Sequence, residues 1–141
     1  MSSDPAEKSF NEKIIDEFRA NEGRVGPPFE GAPMVLLTTV GAKSGKERVS
    51  PLVYTKDGDK LAIIASAAGA DNNPAWFHNL VANPDVTLEV GTEKYRARAT
   101  VPGEPDRTRI YDQQAAIMPG FKAYQEKTSR IIPVVVLERM G

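Results

Sequence analysis

Residues 34–56 read MVLLTTVGAKSGKERVSPLVYTK, two apolar runs joined by a segment of glycines and basic side chains. Both runs are short and rich in residues with high β propensity, and Gly41 and Gly45 mark a turn between them. The pattern predicts two neighbouring antiparallel strands. Because Pro51 cannot donate a ladder hydrogen bond, we expect a free edge or a bulge at that point of the second strand, beside which a flat cofactor ring could lie.

Four later runs have the same character: KLAIIASA (60–67), DVTLEV (85–90), KYRARATV (94–101) and IIPVVVLER (131–139). The tight turns KDGDK and VGTEK predict one hairpin between the second and third strands and another between the fourth and fifth. Six strands with hairpin connections favour a closed antiparallel barrel over a doubly wound sheet. The predicted fold class is therefore mainly β with inserted helices (α+β).

An amphipathic helix is predicted ahead of the strands, over residues 5–23. Asp4 is a candidate N-cap, with Pro5 at the first helical position and Glu7 at capping-box spacing. The helix is expected to end at Gly23. Its apolar side chains recur every fourth residue, at Phe10, Ile14 and Phe18. We expect this stripe to cover the core, and a membrane-surface role is disfavoured because the helix is not basic.

Three further helical segments are predicted: NPAWFHNLVANP (73–84), EPDRTRIYDQQAAIMP (104–119) and FKAYQEKTSR (121–130). We expect Pro74 and Pro105 at the first helical positions of the first two, because proline is tolerated there. No internal repeat or low-complexity tract divides the chain, so we predict a single domain over residues 1–141.

Composition excludes several classes of site. The chain carries 18 basic and 19 acidic side chains, so no net field draws it to nucleic acid. It has no cysteine, which excludes disulfides and Cys-ligated zinc and is typical of a cytoplasmic protein. The single histidine, His78, rules out a multi-histidine metal site and has no nearby acid to orient it as a base, so we expect a partly exposed bystander. No apolar run reaches the ~20 residues of a membrane span.

The loop at residues 41–48 concentrates positive charge. Lys43, Lys46 and Arg48 are opposed in sequence only by Glu47, and the two glycines let the backbone present its N–H groups. This combination suits a phosphate, although the spacing is not that of a Walker motif. A solvated hairpin turn with ordinary surface lysines explains the same residues equally well, and both interpretations stay open at this point.

The loop and a second stretch together resemble a known family. LLTTVGAKSGKERVSPL (36–52), LAIIASAAG (61–69) and NNPAWFHNLVANP (72–84) are similar in order and spacing to the deazaflavin-dependent nitroreductases, which use the reduced 8-hydroxy-5-deazaflavin coenzyme F-420. A weaker similarity continues through MPGFKAYQEKTSR to IPVVVLE. The resemblance implies a six-stranded split β-barrel of the FMN-binding type, with the coenzyme-binding barrel at residues 33–138.

By position, the resemblance implies that the basic loop holds the coenzyme's phosphate and acidic glutamyl tail, through Ala42, Lys43, Ser44 and Arg48. Three further groups would border the ring system: Val49, Ser50, Pro51, Leu52 and Val53; Ile64, Ala65, Ser66 and Ala67; and Ala75, Trp76, Phe77 and Asn79. Structural alternatives stay open for several of them. The small residues after the third strand could serve close packing, Phe77 could be a core residue, and Asn79 could cap local backbone.

Ser66 and Tyr124 are the candidate catalytic residues, because their hydroxyls could hydrogen-bond the coenzyme or acceptor and deliver a proton. Each has a structural alternative, Ser66 as a local backbone partner and Tyr124 as a packed aromatic residue. Relatives that activate nitro compounds carry tyrosines where this chain has Val53, Met118 and Phe121. That departure weakens the expectation of nitro reduction, and an apolar wall favours planar acceptors.

The resulting hypothesis is an oxidoreductase that transfers a hydride from reduced F-420 to an electron-poor small molecule such as a quinone, an enone or another activated alkene, with nitro compounds as a further class. The alternatives are a non-catalytic carrier or storage protein for the deazaflavin and a barrel that binds FMN or haem. No nucleic-acid partner and no metal are expected. We expect a cytoplasmic monomer or weak homodimer without stable membrane insertion, and peripheral membrane contact stays open.

Overall fold

A computed structural model describes residues 5–26 and 31–140, with side chains from residue 12 onward except that of Ala68. The elements in chain order are α1 Pro5–Ala20, β1 Met34–Val40, β2 Glu47–Asp57, β3 Lys60–Ile64, a 3₁₀ turn Ala67–Gly69, α2 Ala75–Ala82, β4 Asp85–Val90, β5 Glu93–Thr100, α3 Asp106–Ile117, α4 Gly120–Lys127 and β6 Val134–Arg139. The strands close into an antiparallel barrel in the order β1–β2–β3–β6–β5–β4. The predicted strand number and barrel are confirmed.

Both predicted hairpins are present. β2 pairs with β3 as far as Asp57 opposite Lys60, and β4 pairs with β5 as far as Val90 opposite Glu93. Each connection is two residues long and begins with a glycine at positive φ, which is +66° at Gly58. Two-residue hairpin loops require such angles, and glycine adopts them without a steric penalty.

β2 changes partner part-way along its length. Residues 47–53 pair with β1 and residues 54–57 pair with β3. Among the described residues, the first part of β2 is therefore laddered along one edge only. Pro51 lies in that part, opposite Leu36, where its missing N–H costs no ladder bond on the open side. The expected free edge at Pro51 is confirmed, and it lies in the part of β2 that follows the β1–β2 loop.

Side chains alternate between the two faces of the strands and form three apolar clusters. The barrel interior is filled from every strand, by residues such as Leu37, Ile63 and Leu88. Outside the barrel, α3 and α4 cover β3 and β6, where Ile110 is fully buried. On another outer face, α1 covers β1 through Ile14 and Phe18, and the predicted stripe is confirmed at these two residues. Burying such a side chain contributes about 1.5–3 kcal/mol, so α1 is docked by its apolar face.

Several predicted helix boundaries are wrong by one to three residues. α1 ends at Ala20 rather than at Gly23, because the chain then enters a left-handed turn with φ of +58° at Glu22 and +94° at Gly23. α2 begins at Ala75 because Pro74 is extended, with ψ of 157°. Pro105 likewise precedes its helix, and α4 runs from Gly120 to Lys127 rather than to residue 130. The candidate cap at Asp4 and the side chains of Glu7 and Phe10 lie outside the described residues.

Two predicted strands are too long. β3 ends at Ile64 rather than at Ala67, because Ala67 has a φ of +47° and starts the 3₁₀ turn. β6 begins at Val134 rather than at Ile131. The chain is nevertheless tied to the barrel just before β6, since the N–H of Ala65 donates to the carbonyl of Pro133 at 3.0 Å. Apolar composition predicted these runs, but the hydrogen-bond ladder sets their ends.

Candidate functional site

The loop between β1 and β2 closes over a glycine. The N–H of Gly41 donates to the carbonyl of Lys46 at 2.8 Å, and the N–H of Gly45 donates to the carbonyl of Gly41 at 3.0 Å. A Cβ on Gly41 would lie 2.5 Å from Oγ of Ser44, which is closer than real contacts allow. Gly45 has a φ of +70°. Gly45 therefore suits the left-handed conformation of the turn, whereas a Cβ at Gly41 would displace the Ser44 hydroxyl. The turn forms a concave cradle between β1 and β2.

Polar donors face the cradle. The hydroxyl of Ser44 accepts the N–H of Lys46 at 3.2 Å and still has its own proton to donate. Within residues 31–140, the backbone N–H groups of Lys43 and Ser44 meet no acceptor in the protein. Successive unpaired N–H groups in a turn form a site for an anion. Both residues are exposed and their N–H groups are therefore accessible to an anionic ligand, which is compatible with the phosphate interpretation of the loop.

Asn79 joins this loop to α2 and to the barrel. Its Oδ1 accepts the N–H of Ala42 at 3.0 Å, and its Nδ2 donates to Oγ1 of Thr39 at 3.2 Å. Thr39 is fully buried at the end of β1. The alternative that Asn79 caps local backbone is therefore wrong, since the backbone that it holds is 37 residues away in the sequence and belongs to the cradle. This bridge fixes the distance between the cradle and α2.

A cleft of about 960 Å³ lies between the cradle, the first half of β2 and α2. It is lined by Gly41, Ala42, Lys43, Ser44, Arg48, Val49, Ser50, Ala75, Trp76, His78 and Asn79. Its size is at the upper end of the usual range for ligand pockets. Nearly all of these residues are among those predicted from the sequence. The structure brings them together from three elements.

Sequence reasoning did not include His78 in the site. The structure places its exposed side chain on the cleft wall. Ala75, His78 and Asn79 stand at positions i, i+3 and i+4, which share one face of a helix, and that spacing could have signalled its place. Among the described residues, no three histidine, aspartate or glutamate side chains gather as metal ligands would.

Within the described residues, Lys43 and Arg48 of the cradle form no ion pair. Arg19 binds Glu89 with a closest N–O distance of 2.8 Å, and Arg109 binds Asp57 at 3.0 Å. In the part of the chain that the structure describes, no carboxylate pairs with Lys43 or Arg48. Both are exposed. Unpaired cations beside unpaired N–H groups give this end of the cleft a positive field, which favours an anionic ligand.

The other end of the cleft is apolar. Trp76 is 9% exposed and packs into the barrel interior with Leu37 and Ala65. Val49 on β2 and the small side chain of Ala75 at the start of α2 also line the cleft. A flat ring could stack or pack against these apolar side chains with little cost for desolvating polar groups. The cleft therefore combines an anion cradle with an apolar slot.

The remaining predicted residues do not line this cleft: Pro51, Leu52, Val53, Ile64, Ala65, Ser66, Ala67, Phe77 and Tyr124. Leu52 and Phe77 pack against the barrel interior, which agrees with the core alternative for Phe77. Val53 packs toward α1, whereas Ile64 is buried beneath α3 and α4. On β2, successive side chains point to opposite faces, so Leu52 and Val53 cannot both face one ligand. Contacts from these positions to a coenzyme stay a prediction.

Ser66 and Tyr124 lie in the region where β3, the 3₁₀ turn and α4 meet. The carbonyl of Ser66 accepts the N–H of Gly69 at 2.8 Å. Tyr124 is half-buried against the outer cluster, with its ring 5.5 Å from that of Phe121 in an edge-on arrangement. No hydrogen bond among the described residues joins the two hydroxyls. Their catalytic roles stay predictions.

Comparisons with known proteins identify the family. The family model described as F420H(2)-dependent quinone reductase matches residues 12–139. The chain belongs to this family. One quinone reductase so named, from Mycobacterium tuberculosis, is 41% identical over 128 residues, which are 86% of this chain and 85% of that protein. The predicted resemblance to deazaflavin-dependent reductases is confirmed.

Solved structures agree with membership of the quinone reductase family. An F420-H2 dependent reductase, FDR-A, is 36% identical with a TM-score of 0.69, covering 75% of this chain and 94% of that one. A second structure, described as a domain-swapped dimer, is 31% identical with a TM-score of 0.70 and covers 94% of this chain and 93% of that one. The split β-barrel is thus the fold of this family member. Within the described residues, no helix has the length and apolar character needed to cross a membrane.

Proposed function

We propose that this protein is a reductase that transfers a hydride from the reduced deazaflavin coenzyme F-420 to a quinone or a similar electron-poor acceptor. Family membership supports the coenzyme and the acceptor class. One structural observation carries the proposal. The cleft joins a cradle of exposed cations and N–H groups to an apolar slot, and these are the two environments that a phosphorylated planar coenzyme requires.

The donors in the cradle fit the coenzyme's tail. Lys43 and Arg48 would neutralise the phosphate and the glutamyl carboxylates, and the N–H groups of Lys43 and Ser44 would bind phosphate oxygens. The arrangement needs little movement, because Asn79 already holds the cradle against α2. An FMN phosphate would suit the same donors, so the cradle by itself does not choose between the two rings.

The apolar half of the cleft fits the ring. Trp76 and Val49 provide a dry surface, and the open edge of β2 leaves backbone groups near Ser50 free to hydrogen-bond the ring's polar edge. When bound, the reduced deazaflavin supplies the hydride in a single two-electron step. The protein's contribution is to exclude water, to orient the ring and to hold a proton donor near the acceptor, for which Ser66 and Tyr124 are the candidates.

The proposed acceptor class rests on the side chains at and near Tyr124. Met118 and Phe121 present apolar surface, and Tyr124 is the single hydroxyl among the positions where nitro-activating relatives carry tyrosines. Planar quinones, enones and activated alkenes gain most from such a wall by burial and stacking. We therefore expect quinones to react faster than nitroimidazoles.

A binding titration tests the coenzyme assignment. Trp76 is the only tryptophan in the chain, so its emission should be quenched by the deazaflavin and more weakly by FMN. Lys43→Ala and Arg48→Ala should each weaken binding by about 1–3 kcal/mol, roughly 5- to 150-fold, because each removes a charge-assisted hydrogen bond. Lys46→Ala is the matched control, since Lys46 lies in the same loop but does not line the cleft. Equal affinity in all three variants would refute the cradle assignment.

A turnover assay separates an enzyme from a carrier. Reduced deazaflavin should be oxidised when the protein is mixed with a menadione-like quinone, and the rate should saturate with quinone. Tight binding without turnover would instead support the alternative of a storage or carrier protein. Stronger quenching by FMN than by the deazaflavin would favour the alternative of an FMN-binding barrel.

We further propose that the protein works on small molecules as a monomer or weak homodimer in the cytoplasm. The cysteine-free composition supports the compartment, and the assembly is an expectation from family resemblance. Light scattering after size-exclusion chromatography measures the oligomeric state, and a stable swapped dimer would contradict this proposal. Fractionation of cells tests the cytoplasmic location and also detects any peripheral membrane contact.

A further inference from the structure

Arg130 makes an unusual set of contacts for a single side chain. It follows α4, yet its guanidinium reaches back to the segment between β3 and α2, residues 65–73. Its four hydrogen bonds are Nε to the carbonyl of Ala70 at 2.8 Å, Nη1 to Oδ1 of Asn73 at 2.7 Å, Nη2 to the carbonyl of Ser66 at 2.9 Å and Nη2 to the carbonyl of Ala65 at 3.2 Å. One planar fork thus binds both ends of a nine-residue segment.

The 65–73 segment needs such support. Ala67 adopts a φ of +47°, a left-handed conformation that costs free energy for a residue with a Cβ. Gly69 packs so closely on α4 that a Cβ would lie 3.1 Å from the carbonyl oxygen of Tyr124. Thr128 adds a bond from its hydroxyl to Oδ1 of Asp71 at 3.0 Å. The segment is therefore held in a strained shape by the stretch that follows α4.

The two ends of the segment adjoin the proposed site. Ser66, at one end, is the candidate proton donor after β3. Asn73, at the other, immediately precedes Pro74, where α2 begins its approach to the cleft with Trp76 and Asn79. A group that fixes both ends at once sets the position of Ser66 relative to the α2 wall. Misplacement of a reacting group by about 1 Å is enough to slow a reaction by about a hundred-fold.

We propose that Arg130 is a positioning residue for the proposed reaction, which orients Ser66 and α2 without touching the substrate. The inference rests on the proposed function for its effect on rate, but its effect on the 65–73 segment does not need a bound coenzyme. The cradle lies on the β1–β2 loop and has no contact with Arg130. Binding of the coenzyme's tail should therefore survive the loss of Arg130.

Arg107→Ala is the matched control. Arg107 is also half-buried, donates from Nε to the carbonyl of Ile132 at 2.9 Å and lies over the ring of Tyr111. It also donates to Oε1 of Gln125, whose Nε2 donates to the backbone carbonyl of Arg130, but it makes no hydrogen bond to the 65–73 segment itself. Both variants should lose stability. In the native turn, the N–H groups of Gly69 and Ala70 donate to the carbonyls of Ser66 and Ala67. Only Arg130→Ala should speed hydrogen exchange at these two N–H groups, by at least about ten-fold.

Kinetics complete the test. Arg130→Ala should lower kcat for quinone reduction by at least about ten-fold while the dissociation constant of the deazaflavin changes less than about three-fold. Arg130→Lys keeps the charge but cannot reach four acceptors at once, so it should recover stability more than kcat. It also carries the test if Arg130→Ala does not fold.

The outcomes separate the two proposals. Exchange in the 65–73 segment that is unchanged in the Arg130 variants, or equally raised in Arg107→Ala, would overturn the positioning role. Changed exchange with an unchanged kcat would show that the segment's shape does not matter for the reaction, and would overturn it too. A wild-type protein that binds no deazaflavin or reduces no quinone would count against the proposed function, and the exchange experiment would still decide what Arg130 does to the segment.

Discussion

A single added charge provides a sharp test of the cleft as an anion site. Asn79→Asp keeps an oxygen in place to accept the N–H of Ala42, and the hydroxyl of Thr39 can rotate to donate to the other carboxylate oxygen. The cradle should therefore keep its shape. The change adds one negative charge to a wall that also carries Lys43 and Ser44. We expect weaker coenzyme binding with little loss of folding stability.

The size of the effect follows from Coulomb's law. Taking roughly 8 Å between the new carboxylate and the bound phosphate and an effective dielectric constant of about 20–40, the repulsion is about 1–2 kcal/mol. That energy corresponds to roughly a 5- to 30-fold higher dissociation constant. Because the cleft is open to solvent, high ionic strength should reduce the difference.

The assay is quenching of Trp76 by the deazaflavin, at low and at high ionic strength, with Asn83→Asp as the control. Asn83 ends α2, and its Nδ2 makes only a long contact of 3.5 Å to the carbonyl of Val40. Asn83→Asp makes the same change of charge, at a residue that does not line the cleft. Wild-type affinity in Asn79→Asp, or an equal loss in both variants, would refute the anion cleft.

Two further predictions concern stability. Gly23→Ala should lower the free energy of unfolding, measured in urea, more than Gly58→Ala does. Both substitutions cost about 1–2 kcal/mol because the residue has positive φ, but a Cβ at Gly23 would also lie 2.7 Å from Cα of Gly91, which adds about 1–3 kcal/mol. Equal losses of stability in the two variants would contradict this close approach. The hydrogen bond from Arg19 lowers the pKa of Glu89, so the pair stabilises the fold above the unfolded-state pKa and loses that contribution as pH falls through the folded-state pKa. Glu89→Gln should lower the free energy of unfolding by less than about 1 kcal/mol near neutral pH, and the variant should be as stable as the wild type in acid. A loss of stability that persists in acid would contradict the ion pair.

The grouping of the loop residues at one end of the cleft could be predicted closely. Lys43, Ser44 and Arg48 lie within one short loop, so their neighbourhood follows from chain connectivity and from the turn that Gly41 and Gly45 impose. The same is true of the α2 face, because helical spacing alone places its residues on one side. What the loop residues could not reveal was whether they were unpaired, since a distant carboxylate could have folded over them.

The ring half could not be predicted in the same way. Ile64 and Val53 belong to strands whose side chains alternate, and the sequence did not say which set faces the barrel interior. The structure turns Ile64 toward α3 and α4 and Val53 toward α1. Arg130 gave no signal at all, because its acceptors are three backbone carbonyls and the side-chain amide of Asn73, all about sixty residues away in the chain.

The sequence by itself determined the strands, the two hairpins, the α1 stripe and the basic loop, since alternation, helical period and turn chemistry act between residues a few positions apart. Only the tertiary structure decided where β2 leaves β1 for β3, which strand faces meet the helices, and how Arg130 holds the turn after β3. Those features depend on pairings between distant parts of the chain. Their free energies come from the closed barrel as a whole, and no local pattern records them.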